Sequence, residues 1–255
     1  MSTLSVPKLS RGHRDSLVLL LAWAAGSVDA IGFLGLGHVF TANMTGNTVL
    51  LGLSLGEGRS LAALANVVAL AGFCLGVAFG ALIVERDSNR GEWDRPVTVA
   101  LFLEALMLVA FTLCWHLTPG GSERSSAALY TLIALSAAAM GIQSAAVRRL
   151  NLPGVATTYV TGTMTSLVAG LTRRLHPARP AVKRGAGPAD AKPAASHAML
   201  QASVIVIYGL SALASGFFQS HVPQLVAIAP LFAISVVLLA VGFAQKGQKA
   251  MSAGE

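Results

Sequence analysis

The stretch Phe40-Thr41-Ala42-Asn43-Met44-Thr45-Gly46-Asn47-Thr48 returns in altered form as Thr157-Thr158-Tyr159-Val160-Thr161-Gly162-Thr163-Met164-Thr165. Both copies carry a Thr-Gly core in a run rich in hydroxyl and amide side chains, and both lie between long apolar segments. A polar motif repeated at membrane depth is the trace expected of a transport fold built from two related halves, with a binding region where the halves meet.

Composition around the motifs sets the class. The chain is 54% hydrophobic and only 11% charged, with a mean hydropathy of +0.67, whereas soluble domains carry about 25% charged residues. Apolar runs of the roughly 20 residues needed to cross a bilayer cover 17–36, 60–84, 96–117, 126–147, 199–219 and 222–243. The motif stretches, 39–56 and 155–172, are shorter and more polar. At 1.5 Å per residue each reaches about 26 Å, marginal for a hydrocarbon core of about 30 Å. The expected fold is an all-α membrane protein with six transmembrane helices, two short re-entrant or broken helices carrying the motifs, and an internal, inverted repeat. Eight short-to-full spans are the alternative.

The positions of the 18 Lys and Arg residues bear on that choice. Cytoplasmic loops are enriched in Lys and Arg. With six spans, 16 of the 18 fall on the cytoplasmic side; with eight, 13 do. The six-span reading puts both termini in the cytoplasm and makes the halves antiparallel, so the motifs enter from opposite sides and converge near the midplane. The expected organisation is a cytoplasmic tail at 1–15 and one membrane domain at 16–243, with halves at 16–117 and 126–243. A basic, Pro-rich cytoplasmic linker follows at 173–198 and a polar tail at 244–255. The formal charge of +7 thus reflects membrane orientation and contact with anionic lipid, and nucleic acid is not an expected partner. Lys8, Arg11 and Arg14 before an apolar run imitate a secretory signal, but the run continues into the first motif, so no cleavage is expected.

Two carboxylates fall inside the apolar runs, Asp29 and Glu104, with no Lys or Arg in the runs to neutralise them. An acidic residue at a helix centre costs about 2.5 to 3.5 kcal/mol on insertion scales, which makes each a functional candidate. Such a group must be protonated, hydrated, hydrogen-bonded or paired with a bound cation. Asp29 can respond to a proton or cation, or can tie its helix to the motif backbone. Glu104 is the secondary candidate.

If the motifs are helical, Asn43 and Asn47 share one face, as do Thr157, Thr161 and Thr165. Gly46 and Gly162 permit a break that exposes backbone groups to a solute or ion. Pathway residues expected on this basis are Asp29, Asn43, Thr45, Gly46, Asn47, Gln143, Thr158, Thr161, Gly162 and Thr165. Gly72, Gly76 and Gly80 form a stripe suited to close helix packing, and Pro230 is expected to kink the last helix or mark local irregularity. Cys74 and Cys114 read as small buried apolar residues, and His38 and His116 as isolated interfacial ones. No metal site, cofactor motif or catalytic set is recognisable, so the chain is not read as an enzyme.

The halves align beyond the motifs. Gly26-Ser27-Val28-Asp29-Ala30 precedes the first Thr-Gly pair much as Gly141-Ile142-Gln143-Ser144-Ala145 precedes the second, which puts Asp29 and Gln143 in corresponding places. Together with Phe40, Met44-Thr45-Gly46-Asn47 and Thr158-Tyr159-Val160-Thr161-Gly162-Thr163, these residues give a chain that resembles the YoaK-like bacterial membrane proteins, the domain of unknown function numbered 1275. The resemblance covers 16–243 apart from the linker. Ser144 departs from it, since Asn is expected there. It implies a multi-pass protein of the bacterial cytoplasmic membrane with about six spans, and no substrate. Three functions stay open: a transporter or channel for a small solute or ion, proton- or cation-coupled; a structural or regulatory membrane partner; and a membrane enzyme. A homo-oligomer is compatible with each.

Overall fold

The structure is a computed structural model describing residues 11–85, 93–152, 154–158, 160–175 and 191–252. Among these the chain is all-helical: α1 (Arg11–Gly35), α2 (Met44–Gly56), α3 (Ser60–Val84), α4 (Arg95–Leu117), a 3-10 turn (Gly121–Glu123), α5 (Ser126–Arg149), α6 (Val160–Leu175), α7 (Ala191–His221) and α8 (Ile228–Ser252). Five helices are long and apolar enough to cross a membrane, within 12–35, 60–84, 95–117, 126–149 and 197–221, and 228–244 is a shorter apolar helix. The protein is an all-α, multi-pass membrane protein.

Local chemistry sets the ends. Asp94 caps α4 by accepting the Val97 N–H at 3.2 Å, with Pro96 in the first turn, and Ser125 caps α5 through the Ala128 N–H at 3.3 Å. Several boundaries differ from the sequence reading. Residues 222–227 form a turn instead of the start of the last helix, so the irregularity expected near Pro230 lies just before it, and Pro230 sits in the first turn of α8, where its missing N–H has no intrahelical acceptor to lose. The helix then runs to Ser252 through residues of good helix propensity, well past the expected tail boundary. Within the expected linker, 173–175 end α6 and 191–198 open α7, where Pro193 is again tolerated in the first turn. Residues 176–190 of that linker, and 1–10 of the N-terminal tail, lie outside the described residues. Cys74 is exposed and Cys114 is half-buried, packed against the core that includes Phe111 and Trp115, so neither is the fully buried residue expected.

Helix directions follow from contacts at the two ends. Arg124, just before α5, donates to the Gly35 carbonyl at the end of α1 at 3.1 Å. Thr112 and Trp115 of α4 donate to the carbonyls of Ala227 and Pro223 in the α7–α8 turn. The ends of α1, α4 and α7 and the starts of α5 and α8 therefore share one end of the bundle. At the other end Asp94 before α4 pairs with Arg149 at the end of α5 at 2.9 Å. Along α3, Gly72 faces Ala134 and Gly80 faces Ala145, so α3 runs parallel to α5. Gly26 faces Tyr208 and Gly35 approaches Gln219, so α1 runs parallel to α7. Packing partners follow a pattern: α5 packs on α3 and α4, α1 packs on α7 and α8, α2 lies on α3, and α6 lies on α7.

In lipid, helices associate mainly through close packing, because acyl chains are as apolar as leucine. The α3–α5 contact uses this: a Cβ on Gly76 would lie 2.9 Å from the Cα of Ala138, and one on Gly141 would lie 2.7 Å from the Val77 nitrogen. The glycine stripe is thus a packing surface. Between α1, α4, α5 and α8 the core is filled by Leu21, Leu101, Leu108, Met140 and Ile234, all fully buried.

Candidate functional site

The two motifs begin as irregular chain and become helix only partway. After α1, the segment 36–43 turns back, with Gly37 and His38 in left-handed conformation (φ 81° and 62°). After α5 the chain turns back as well, with Asn151 (φ 47°) and Gly154 (φ 65°) likewise left-handed. Asn43 is the N-cap of α2, its Oδ1 accepting the Gly46 N–H at 3.3 Å. Asn43 and Thr157 therefore precede their helices, and the faces expected from four-residue spacing do not form. The break lies before each Thr-Gly pair, not at the glycine. Gly46 is needed for another reason, since a Cβ there would lie 2.8 Å from the Phe40 ring.

Asp29 is 4% exposed and holds the first turn-back segment. Its Oδ1 accepts the backbone N–H groups of Thr41 (2.8 Å), Ala42 (2.6 Å) and Asn43 (3.3 Å), and its Oδ2 accepts the Tyr208 hydroxyl of α7. The carboxylate thus clasps α1, the loop and α7 together. Gln143 stands at the matching place on α5, six residues before the helix end as Asp29 is on α1. Its Nε2 donates to Thr157 Oγ1 at 2.9 Å and to the Leu21 carbonyl at 3.0 Å, while its Oε1 has no protein partner. Ser144, the next residue, shares a 2.7 Å hydrogen bond with Thr158. Where an amide was expected at 144, a hydroxyl makes the loop contact.

Each loop is closed again from its helix. Buried Asn47 accepts the Phe40 N–H at 2.9 Å and donates to the Phe40 carbonyl at 2.6 Å. Thr163 Oγ1 accepts the Ala156 N–H at 3.1 Å and donates to its carbonyl at 3.4 Å. Both bridges span seven residues and start from the residue after the motif glycine. Ser144 stands out in the sequence only as a departure from the family pattern, and Thr163 only as part of the motif; neither is among the expected pathway residues, although aligning the halves at Gly46 and Gly162 matches Thr163 to Asn47. Tyr208 gives no such signal within its apolar run.

A cavity of about 600 Å³ lies where the two loops approach, between α3 and α5. Asn43 and Thr45 of the first motif and Thr157 and Thr158 of the second line it, with Ser144 and Arg148 of α5. The remaining expected residues fall elsewhere. Asp29, Gly46, Asn47 and Gln143 stand behind the wall as its fastenings, while Thr161 and Thr165 lie in a shallow groove on the outer side of α6. Gly162 is half-buried in the first turn of α6. Glu104 is fully buried on α4, and neither carboxyl oxygen has a protein partner. Among the described residues no group of three His, Cys, Asp or Glu side chains is placed to hold a metal ion.

Comparison with known proteins gives a family and no activity. The sequence family described as "Protein of unknown function (DUF1275)" matches residues 17–242. The "UPF0700 transmembrane protein YoaK" of Bacillus subtilis (strain 168) is 42% identical over 163 residues, which are 64% of this chain and 69% of that protein. No solved structure matches.

Proposed function

The chain belongs to the DUF1275 family of membrane proteins, and from that premise we propose that it is a transporter or channel for a small solute or ion, built from two inverted repeats with six spans. The observation that carries this reading is the cavity in which Asn43 and Thr45 meet Thr157 and Thr158, since inverted-repeat transporters bind their cargo where discontinuous helices from the two halves approach. The opposed directions of α1 and α5, and the exchange of packing partners between the first four and last four helices, support the inverted repeat. In this arrangement α2 and α6 are re-entrant: 13 and 16 residues long, they reach about 20 and 24 Å, short of a full crossing.

The bacterial cytoplasmic membrane is the proposed location. Arg95, Arg148 and Arg149 share one end of the bundle with the starts of α1 and α7, and Lys and Arg mark the cytoplasmic side. Both termini are then cytoplasmic. The function involves no chemistry on the solute, hence no enzyme activity and no cofactor. Of the two intramembrane carboxylates, Asp29 links ionisation to the position of the re-entrant loop, and Glu104 has oxygens free to take a proton or cation.

Purified protein in liposomes, screened for uptake and efflux of small solutes and ions with and without a pH gradient, tests the proposal. Flux above that of empty liposomes, lost when Asn43 and Thr158 are both replaced by Leu, is the expected result. Absence of flux across the screen from correctly folded protein would leave a structural or regulatory membrane role as the better account.

A further inference from the structure

The chemistry of the cavity narrows what it can hold, an inference that rests on the transport reading for its biological meaning but not for its test. Among the described residues that line it, Arg148 is the only ionisable one, and no carboxylate faces it. The adjacent Arg149 is consumed in the buried pair with Asp94, whereas Arg148 is exposed and stands outside that pair. Of two consecutive guanidinium groups one is neutralised and the other is left beside the cavity.

Hydrogen-bond donors reinforce the charge. Asn43 and Thr45 line the wall at the start of α2. The N–H of Thr45, at the second helical position, has no intrahelical acceptor, and a helix start carries partial positive charge. The Asn43 side chain uses its oxygen for the cap, which leaves its amide NH₂ as a donor. Asp29 presents no competing acceptor to a bound solute, because it lies behind the backbone of Ala42 and Asn43 with both oxygens engaged by four protein donors. We propose that the cavity binds the oxyanion group of a small anionic solute, with Arg148 and the start of α2 as its recognition elements. A carboxylate and an inorganic phosphate present the same chemistry to these groups, and Arg is suited to either through paired N–H donors.

The test reads charge and binding without requiring flux. In protein carrying Cys74→Ala and Cys114→Ala, Thr45→Cys is modified with an anionic sulfonatoethyl and a cationic trimethylammonioethyl methanethiosulfonate, each rate being normalised to that of free cysteine. The normalised ratio should favour the anion by about 5-fold or more, because one positive charge on the cavity wall attracts the anionic reagent and repels the cationic one. It should collapse toward unity in Arg148→Gln and persist in Arg148→Lys and in Arg124→Gln, which alters the opposite end. In a second arm, millimolar inorganic phosphate or acetate, but not choline chloride, should slow modification of Thr45→Cys by the uncharged N-ethylmaleimide. Protection by phosphate alone or acetate alone identifies which oxyanion is accepted. A ratio at or below unity, a ratio unmoved by Arg148→Gln, or lack of protection by both anions overturns the inference. Protection together with absence of flux would instead sink the transport reading and leave the site standing.

Discussion

Asn47 holds both polar groups of Phe40, accepting its N–H at 2.9 Å and donating to its carbonyl at 2.6 Å. Because Asn47 lies in the first turn of α2 and Phe40 in the loop before it, the pair fixes how the chain enters the helix. Thr163 and Ala156 repeat the arrangement with a single hydroxyl in place of the amide. An amide offers separate donor and acceptor atoms where a hydroxyl must serve as both, which accounts for the longer 3.4 Å contact in the second copy.

Asn47→Ala should therefore destabilise the protein more than Thr163→Ala. Leaving buried polar groups unpaired costs about 1 to 3 kcal/mol each, so the first substitution should lower the thermal midpoint in detergent clearly and the second by less. Thr163→Ser, which keeps the hydroxyl, should be close to the parent. An Asn47→Ala protein as stable as the parent would mean that the loop is held by other contacts.

Gly76→Leu should separate α3 from α5. The Gly76 Cα faces the backbone of Ala138, and Gly141 of the same helix approaches it as well; overpacking a close contact costs typically about 1 to 3 kcal/mol. Gly52→Ala, where a Cβ meets nothing within 4 Å, should have little effect. The comparison is made by thermal unfolding monitored through tryptophan fluorescence.

Much of this architecture was legible in the chain, for identifiable reasons. The ends of α3, α4 and α5 match the apolar runs within two residues because Asp94, Pro96 and Ser125 are strong start signals and Arg148-Arg149 closes an apolar run. The starts of the motif helices do not follow the four-residue spacing of their polar residues, because Asn43 is a favoured N-cap residue and so marks a boundary. Asp29 could be marked as exceptional from its depth alone. Its partner Tyr208 is 179 residues away and embedded in an apolar helix, so only the packing of α7 on α1 brings the two together. Thr161 and Thr165 share a motif with Thr158 but not its surroundings, since the helix start between them turns their side chains outward.

Topology gives a direct check. With single cysteines introduced into a variant lacking Cys74 and Cys114, positions 57 and 123 should label from outside the cell and positions 85 and 151 from the cytoplasm. All four positions exchange sides if α2 crosses the membrane completely, so each labelling result discriminates between the two topologies. External labelling at 85 with protection at 57 would replace six spans by eight and remove the inverted repeat.

Glu104→Leu should leave stability unchanged or raise it. Both carboxyl oxygens lack protein partners in a fully buried setting, and a buried polar group without hydrogen bonds is a net cost that an apolar side chain of similar volume avoids. A purely structural carboxyl would show the opposite, a loss of stability in Leu that Gln partly restores. If flux is detected, the same variant should change its response to a pH gradient, since a residue retained at such a cost is expected to work there.

The last prediction separates the two roles open to Asp29. As a clasp it needs acceptor oxygens for the N–H groups of Thr41, Ala42 and Asn43 and for the Tyr208 hydroxyl. As a coupling group it needs, in addition, the ability to ionise. Asp29→Ala removes both and should free the loop, with loss of stability on the order of 3 kcal/mol or more as several buried donors lose their acceptor. Asp29→Asn keeps the shape and one acceptor oxygen, and Tyr208→Phe removes only the hydroxyl, so a double-mutant cycle between them isolates their interaction. If Asp29 responds to protons or cations during transport, Asp29→Asn should fold and insert yet lose the pH or cation dependence of flux, while Tyr208→Phe should shift that dependence without abolishing it. Unchanged gradient-driven flux in Asp29→Asn would fix the carboxylate as a clasp, and coupling would then fall to Glu104.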